Sequence, residues 1–260
     1  MNLVIVQARL GSTRFPKKVI STLGDSTIID ILIEQIKKAD AVDKVVIATT
    51  QEPLDDLLVE YCLTKNYDVY RGSALDLLDR HYQCAKEFNP GSISKIPSDV
   101  PFVDPEIINK VIKSFSESDL DYVSNLHPPT FPDGLDVETF SFDALEKAWK
   151  NANRDYEREH TTPYIWDNPK DFKIGSITSD QEKDYFMNYR WTIDYKEDLE
   201  FIRSVYNGFI KDNPNYNWLE LVEFLDHNPS IASINSKYNG MNWYGKYINE
   251  LKTFNPQNTK

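Results

Sequence analysis

Residues 3 to 18, LVIVQARLGSTRFPKK, combine an apolar run with cations and small polar residues. Leu3 to Val6 are aliphatic without alternation, which predicts a strand buried on both faces of a parallel sheet. The residues that follow are four cations, a glycine and two hydroxyl side chains: Arg9, Arg14, Lys17, Lys18, Gly11, Ser12 and Thr13. A free backbone, hydroxyl donors and cationic groups together suit a triphosphate. We therefore predict a polyphosphate-binding loop at the carboxyl end of the first strand.

A plainer interpretation is that a first strand leaves the sheet through a basic surface loop. The loop matches neither GxxxxGK[ST] nor GxGxxG, so it is neither a Walker loop nor a dinucleotide fingerprint. Its position nevertheless favours ligand binding, because open α/β sheets bind ligands at the carboxyl ends of their strands.

Two aspartates are candidate metal ligands. Asp99 lies in a two-proline loop after a predicted central strand, and Asp194 lies at a strand-to-helix junction. Magnesium takes oxygen ligands and is commonly held by one or two carboxylates plus substrate phosphates. Each aspartate has a structural alternative as a helix cap, which is weaker for Asp99 because Asp104, followed by Pro105, is the evident cap.

Strand and helix patterns alternate along the chain. Strands are predicted at 3–6, 44–50, 68–71, 92–96, 121–125, 134–140, 172–178 and 189–193. Helices are predicted at 26–39, 53–66, 74–88, from 105, at 141–152 and from 194 to about 211. A strand, a helix and a strand in about fifty residues form a βαβ unit, which must be right-handed.

The chain of 260 residues suits one large α/β domain with additions. We predict a main domain at 1–212 with a lid-like insertion at 127–180. Residues 213–260 are rich in Asn, Pro, Tyr and Trp, and they predict a peripheral extension with helical patches at 217–226 and 241–252.

The composition excludes several classes of protein. A net charge of -12 and a pI near 4.8 disfavour general binding to nucleic acid or an anionic membrane. The only cysteines, Cys62 and Cys84, lack CxxC spacing and indicate buried thiols in a reducing compartment. With no secretory leader pattern and no run of membrane-spanning length, we expect a cytoplasmic protein.

The segment QARLGSTRFPKKV resembles the opening signature of the cytidylyltransferases that make CMP-activated sugar acids, the CMP-KDO and acylneuraminate cytidylyltransferase-like enzymes. The likeness is closest to the SpsF-like branch, QAR-x-GSTR-x-PGKV, and Lys17 stands where that pattern has glycine. SDVPFVDP and TIDYKEDL resemble its metal-bearing segments, with Asp99 and Asp194 at the matching positions. YRGSALDLLDRHY, GLDVETF and REHTTPY resemble FRGS-x-x-DVL-x-RY, GLDVE-x-F and REHVTPY.

This resemblance, over roughly residues 2 to 200, implies an α/β fold of the nucleotide-diphospho-sugar transferase type. Its central sheet would be mainly parallel with helices on both faces, plus a small β excursion that often mediates dimerisation. The implied reaction transfers CMP from CTP to an acidic acceptor, a sugar acid or a small phosphorylated compound, with Mg²⁺ as cofactor and pyrophosphate released. Surface polysaccharide or glycoconjugate biosynthesis would use it, and the expected partners are CTP, an anionic acceptor and a second copy of the chain.

The resemblance also implies residue roles. The catalytic residues would be Arg14, Lys18, Asp99 and Asp194, the two aspartates holding Mg²⁺. The nucleotide would contact Gln7, Ala8, Arg9, Gly11, Ser12, Thr13, Arg14, Lys18, Arg71 and Ser98. The acceptor would contact Asp136, Glu138, Arg158, Glu159 and His160.

Several of these roles have structural alternatives. Arg158 suits a carboxylate or phosphate because a guanidinium fork matches either. Asp136 and Glu138 would face the same side of a strand and either bind sugar hydroxyls or pair with Arg158. His160 would bind the acceptor, assist a proton transfer or simply form hydrogen bonds.

The segment around Arg71 also has a structural interpretation beside its nucleotide-binding one. Arg71 would mark a strand end, Ser73 would cap the next helix, and Asp76 would pair with Arg80 one turn later.

Two other functions are compatible with such a chain: a metal-dependent glycosyltransferase of related fold, and a catalytically inactive nucleotide-binding subunit of a polysaccharide assembly. Against the first, the acidic segment at 119–121 precedes a strand instead of following one. Against the second, Arg14, Lys18, Asp99 and Asp194 are all present.

Overall fold

The structure is a computed structural model that describes residues 1–12, 14–181 and 183–260. Within them, strands form a seven-stranded sheet and a short hairpin. The strands are β1 Asn2–Gln7, β2 Thr22–Leu23, β3 Ser26–Thr27, β4 Lys44–Thr50, β5 Asp68–Gly72, β6 Ser92–Pro97, β7 Tyr122–Ser124, β8 Glu138–Phe140 and β9 Ile174–Ser176. The sheet order is β5-β4-β1-β6-β8-β7-β9, and β2 pairs with β3.

The helices connect and cover these strands. They are α1 Ile28–Lys37, α2 Asp56–Thr64, α3 Leu77–Phe88, α4 Pro105–Ser116, α5 Phe142–Asn151, α6 Asp155–His160, α7 Pro163–Trp166, α8 Lys196–Val205, α9 Trp218–His227, α10 Pro229–Ala232 and α11 Tyr244–Tyr247. A π-helical turn at Tyr206–Ile210 extends α8 to near its predicted end.

Strand β1 lies at the centre of the parallel half of the sheet. It pairs in parallel with β4 and β6, and Val4 lies opposite both Val45 and Ser94. Leu3, Val4, Ile5 and Val6 are fully buried, which confirms the interpretation of the apolar run. Because β5, β4, β1 and β6 all run in one direction, their carboxyl ends share one edge of the sheet.

Both faces of the sheet are covered. Val4 and Val6 contribute to a cluster that includes Ile29 of α1. Leu3 and Ile5, with the opposite orientation along the strand, contribute to a second cluster that includes Leu78 of α3. The predicted fold class, a mainly parallel sheet with helices on both faces, is confirmed.

The β excursion makes the sheet mixed. β8 pairs antiparallel with β6 and with β7, and β9 pairs in parallel with β7. The prediction of a strand at 189–193 is wrong, because the backbone N–H groups of this segment donate to two different loops. Trp191 N donates to Asp133 O and Ile193 N to Asp99 O, so the segment forms only an isolated bridge.

The segment 213–260, predicted as a peripheral extension, contributes buried side chains to both core clusters. Leu221 and Leu225 of α9 are buried in the first core cluster. Tyr244 and Phe254 are buried in the second cluster, on the other face of the sheet. The segment therefore packs against both faces of the sheet. Of the helical patch predicted at 241–252, only α11 is an α-helix.

Cys62 and Cys84 are free and buried, as predicted. Burial raises the pKa of each thiol to about 12, so neither supplies a thiolate at neutral pH. In the described parts of the chain, no helix has both the length and the apolar character needed to cross a bilayer.

Asp104 joins α4 to the C-terminal segment. Its carboxylate caps α4 by accepting the Glu106 and Ile107 N–H groups at 2.7 and 3.3 Å, as predicted, and it also accepts the Trp218 N–H at 2.8 Å. We expect Asp104→Ala to lower the free energy of unfolding by about 2 kcal/mol, because a cap is lost and a Trp218 donor loses its acceptor. Urea unfolding measures this change.

Asp143→Ala is the matched control, since Asp143 is an exposed first-turn aspartate of α5, whose cap is Ser141. It should change the free energy of unfolding by no more than about 0.5 kcal/mol. Equal losses in the two variants would show that Asp104 does not link α4 to α9.

Candidate active site

A cavity of about 280 Å³ opens at the carboxyl ends of β1 and β6. Its walls come from Gln7, from Pro97 and Asp99, and from the segments 133–138, 190–195 and 241–244. A wider surface depression of about 550 Å³ lies along α9 and includes none of the predicted site residues. The smaller cavity is therefore the candidate active site.

Lys18 brings the two predicted metal ligands together. Its Nζ donates to Asp99 Oδ2 at 2.7 Å and lies 3.4 Å from Asp194 Oδ1, and it also donates to the Ile193 carbonyl. Burial alone would lower the pKa of Lys18, but the charges of Asp99 and Asp194 outweigh it and raise that pKa. Lys18 is therefore charged, and it joins residues that lie 81 and 176 positions further along the chain.

Arg190 is a second buried cation that the sequence reasoning missed. Its guanidinium lies 2.9 Å from Asp194, 3.1 Å from Asp198 and 3.1 Å from Asp133. The side chain is only 1% exposed. Arginine is suited to such a site because its planar fork serves several carboxylates at once. The sequence feature that could have identified Arg190 is its position between Tyr189 and Trp191, four residues before Asp194.

The charge of Asp194 depends on three cations. Burial would raise its pKa, but Lys18, Arg14 and Arg190 together hold it below the usual range. Asp194 is not the helix cap that the structural alternative proposed. Tyr195 is the N-cap of α8, and Asp198 accepts the Asp194 and Tyr195 N–H groups at 2.9 Å each. The Asp194 carboxylate therefore lines the cavity, where it pairs with Arg14, Lys18 and Arg190.

The chemistry of this pair fits a magnesium ion. The position between Asp99 and Asp194 takes a cation in this structure, the Lys18 ammonium. Across residues 1–12, 14–181 and 183–260, no three His, Cys, Asp or Glu side chains converge as a complete metal cage. Two carboxylates suffice for Mg²⁺ when substrate phosphates and water complete its shell.

The predicted polyphosphate loop lies beside this pair. The Arg14 guanidinium is 2.8 Å from Asp194, and its side chain is 60% exposed. Lys17 has φ 60°, a left-handed conformation that explains why the resembling pattern has glycine there. Its N–H donates to Leu10 O at 2.9 Å and closes the loop. Gly11 is exposed and Ser12 half-buried, whereas Thr13 lies outside the described residues.

Three other residues predicted to contact the nucleotide differ in their burial and in whether they line the cavity. Gln7 lines the cavity, and its buried Oε1 has no hydrogen-bond partner among the described residues. Ala8 is buried and pairs with Ala48 O, and Ser98 is buried next to Asp99.

Arg9 and Arg71 do not line this cavity. Arg9 Nη1 lies 3.5 Å from Ala74 O. Arg71 donates to Thr50 O at 3.0 Å and pairs with Asp56 at 2.6 Å, on the β4 and β5 side of β1. The structure thus places both arginines beyond β1, away from the two aspartates.

Glu138 forms a buried ion pair at the floor of the cavity. Its Oε1 lies 2.5 Å from Lys95 Nζ, and its Oε2 accepts from Tyr122 and Thr162 hydroxyls at 2.7 and 2.5 Å. Burial would raise the pKa of Glu138, but Lys95 outweighs it and lowers that pKa. The partner of Glu138 is therefore Lys95 of β6 and not Arg158.

Arg158 does not reach the cavity. Its guanidinium pairs with Asp76, with Nε at 2.8 Å, and donates to Trp149 O at 2.7 Å. This corrects the predicted Asp76–Arg80 pair and the predicted Ser73 cap, because Asp76 itself caps α3 by accepting the Asp79 N–H. Glu159 is exposed and also lies off the cavity.

Asp136 and His160 do line the cavity. Among the described residues, the one hydrogen-bond donor to Asp136 is Gly134 N, at 3.3 Å. Burial and the charge of Asp99 raise the pKa of Asp136 to about 6. His160 stacks on Trp243 with ring centroids 3.9 Å apart, and burial lowers its pKa to about 3. The His160 imidazole is therefore neutral at physiological pH.

The Lys95–Glu138 pair gives a test of buried charge. We expect Glu138→Gln to lower the free energy of unfolding by about 3 kcal/mol, because it leaves the Lys95 ammonium buried without a counter-charge. The double variant Lys95→Met with Glu138→Gln should recover most of that loss in urea unfolding. The control Asp68→Asn, which breaks the exposed Lys44–Asp68 pair, should cost no more than about 1 kcal/mol. No recovery in the double variant would contradict the ion-pair account.

The neutrality of His160 can be observed directly by NMR. A histidine whose pKa is lowered to about 3 binds no proton at higher pH. The His160 Cε1–H signal, assigned by its loss in His160→Gln, should not shift between about pH 5.5 and 8. N-acetylhistidine amide in the same buffer is the control that does shift. A titration of the His160 signal in this range would restore it as a proton-transfer candidate.

Known proteins with similar sequences belong to the class that this site geometry indicates. The profile of the family described as cytidylyltransferase matches residues 3–220. The uncharacterised protein MJ1063 of Methanocaldococcus jannaschii is 39% identical over 234 residues, which cover 89% of this chain and 93% of that protein. The spore coat polysaccharide biosynthesis protein SpsF of Bacillus subtilis is 33% identical over 236 residues, covering 89% and 96%.

A solved cytidylyltransferase structure from Leptospira borgpetersenii superposes with a TM-score of 0.82 at 33% identity, covering 89% of this chain and 96% of that one. The resemblance first seen in the loop and aspartate motifs is therefore confirmed, as is the fold that it implied. The chain belongs to the cytidylyltransferase family, the CTP-dependent nucleotidyltransferases.

Proposed function

We propose that this protein transfers CMP from CTP to an acidic small-molecule acceptor, releasing pyrophosphate, in the synthesis of a surface polysaccharide or glycoconjugate. The observation that carries the proposal is the meeting of Asp99, Asp194 and Lys18 beside the Arg14 loop, at the carboxyl end of β1. The similarity to SpsF, a spore coat polysaccharide biosynthesis protein, supports the pathway class.

The cations of the loop would neutralise the triphosphate. Arg14 is exposed at the cavity mouth, so its guanidinium can exchange Asp194 for phosphate oxygens without any change in the fold. Lys18 is buried between carboxylates, so it supplies a fixed positive charge instead of a mobile one. Such prearranged charge is the largest contribution that a protein makes to phosphoryl-type transfer.

Asp99 and Asp194 are the residues that would hold Mg²⁺. When bound, the ion would neutralise phosphate charge that develops as pyrophosphate leaves. Arg190 and Asp198 would keep Asp194 in place, Arg190 through its guanidinium and Asp198 through the N–H groups that it accepts.

The reaction needs little covalent chemistry from the protein. An acceptor hydroxyl oxygen bonds to the α-phosphorus in line with the leaving group. The bond from the α-phosphorus to the bridging oxygen breaks, pyrophosphate leaves with that electron pair, and the hydroxyl proton passes to water. Positioning the oxygen near the phosphorus therefore provides much of the rate.

The acceptor would enter from the side of β6 and β8, where Lys95, Asp136 and Glu138 line the cavity. Since Arg158 is occupied by Asp76, it does not provide the cation for an acidic group. We propose that the acid lies at the reacting end of the acceptor, near Arg14. The acidic segment 119–121 considered for a glycosyltransferase lies beside β9, where Asp121 accepts the Lys173 N–H, and not on the cavity.

Pyrophosphate release tests this function. The purified protein with Mg²⁺ should release pyrophosphate only with CTP among the four nucleoside triphosphates, when supplied with one class from a panel of sugar acids, sugar phosphates and phosphorylated small acids. Asp99→Asn should lower kcat by on the order of a hundredfold or more, because a carboxylate that holds the phosphate-bound ion is lost. Asp143→Asn, at an exposed position outside the cavity, should leave kcat near wild type.

Near-normal turnover of Asp99→Asn would remove Asp99 from the mechanism. Release with ATP or GTP in preference to CTP would contradict the assignment of the nucleotide. Failure to bind any nucleotide in calorimetry would contradict both the proposed function and the nucleotide-binding-subunit alternative, and it would favour a scaffold role.

A further inference from the structure

We propose that the Arg14 guanidinium gates the metal position by covering Asp194 until a polyphosphate draws it away. A divalent cation then binds strongly only when a polyphosphate is bound as well. The inference rests on the proposed function, in which Asp99 and Asp194 hold Mg²⁺ and Arg14 binds the triphosphate. It adds to that function an energetic link between the two ligands.

The two carboxylates differ in the oxygens that they leave open. Lys18 Nζ lies 2.7 Å from Asp99 Oδ2, and in the parts of the chain that the structure describes no group donates to Asp99 Oδ1. Both oxygens of Asp194 accept hydrogen bonds from arginines, Oδ2 from Arg190 at 2.9 Å and Oδ1 from Arg14 at 2.8 Å. Asp99 therefore offers an open oxygen to a metal ion, whereas Asp194 does not.

Arg14 is the cation that can leave Asp194 at least cost. Its side chain is 60% exposed, whereas those of Lys18 and Arg190 are 10% and 1% exposed. Lys18 also donates to the Ile193 carbonyl, and Arg190 pairs with two further aspartates. Moving either buried cation would leave a charge without partners away from water, which is much more costly than turning an arginine that already contacts water.

Tyr195 supports the closed position of Arg14. The guanidinium carbon of Arg14 lies 5.7 Å from the centroid of the Tyr195 ring, which is within the range of a cation–π interaction. The Tyr195 ring in turn stacks on Tyr238 with centroids 4.0 Å apart, so its orientation is fixed. Arg14 is therefore held at Asp194 by an aromatic ring as well as by the carboxylate.

Charge explains why the gate matters for a metal ion. While Arg14 stays, a divalent cation on Asp194 Oδ1 would lie beside a positive charge on the same oxygen. Arg14 and Lys18 also balance the charges of Asp99 and Asp194, so little negative charge remains to attract the ion. A polyphosphate removes Arg14 and brings its own negative charge. By linkage, the metal ion and the polyphosphate must strengthen each other's binding by the same factor.

Electron paramagnetic resonance with Mn²⁺ as the probe tests the gate on the full-length protein without nucleotide. We expect Arg14→Met to bind Mn²⁺ at least about tenfold more tightly than the wild type, because an ion pair and a like-charge repulsion are both removed. Adding Asp99→Asn to Arg14→Met should abolish this gain. The control Lys44→Met, which removes one positive charge from the exposed Lys44–Asp68 pair, should stay within about twofold of the wild type, since salt screens a distant charge.

A second variant tests the gate with Arg14 in place. Tyr195→Leu removes the ring beneath the guanidinium, and it should raise the affinity for Mn²⁺ about threefold. Equal affinities of Arg14→Met and the wild type, an equal gain in Lys44→Met, or a gain that survives Asp99→Asn would each overturn the inference.

Pyrophosphate release from CTP, measured on the same wild-type preparation with Mg²⁺, separates the two failures. Turnover together with equal Mn²⁺ affinities would overturn the gate alone. Absence of turnover with every acceptor of the panel would instead contradict the proposed function.

Discussion

The Lys18 ammonium between Asp99 and Asp194 is the interaction on which the rest of the site depends. Three charges leave bulk water together there, which is costly unless every charge has a partner. Arg14 and Arg190 complete that balance around Asp194, and Asp133 and Asp198 complete it around Arg190. The β1 loop, the β6 loop and the start of α8 are therefore held together by one charge network, and no member is independent of the others.

How much of this could be read from the sequence differs between elements. β1 and β4 were predictable because strands buried on both faces have apolar runs, as LVIV and VVIA do. β6 was predicted from a short segment that stops at Pro97, and Asp104 with Pro105 predicted the start of α4. The segment 189–193 was not, because a strand-like pattern does not show that its hydrogen bonds divide between two loops. The roles of Arg158 and Arg190 also escaped, since both depend on carboxylates brought together only by the tertiary fold.

The C-terminal segment is more buried than its composition indicated. Residues 213–260 are rich in Asn, Pro, Tyr and Trp and, apart from α9, have only short helices, so the segment resembles a surface extension. Aromatic side chains bury large areas individually, without any repeating pattern, and Tyr244 and Phe254 pack face to face at 3.9 Å. Burial of this kind lets a segment with little regular structure become a wall of the cavity while the sheet remains unchanged.

The left-handed conformation of Lys17 affects the entropic cost of ligand binding in the proposed function. A non-glycine residue at this φ costs on the order of 1 kcal/mol more than glycine. A side chain there also removes many of the loop conformations that glycine would permit. In the proposed function, the loop would therefore lose less conformational freedom when the triphosphate binds, and part of the entropic cost of binding would be met during folding. Compared with glycine, lysine at this position restricts the backbone and adds a positive charge that attracts anions.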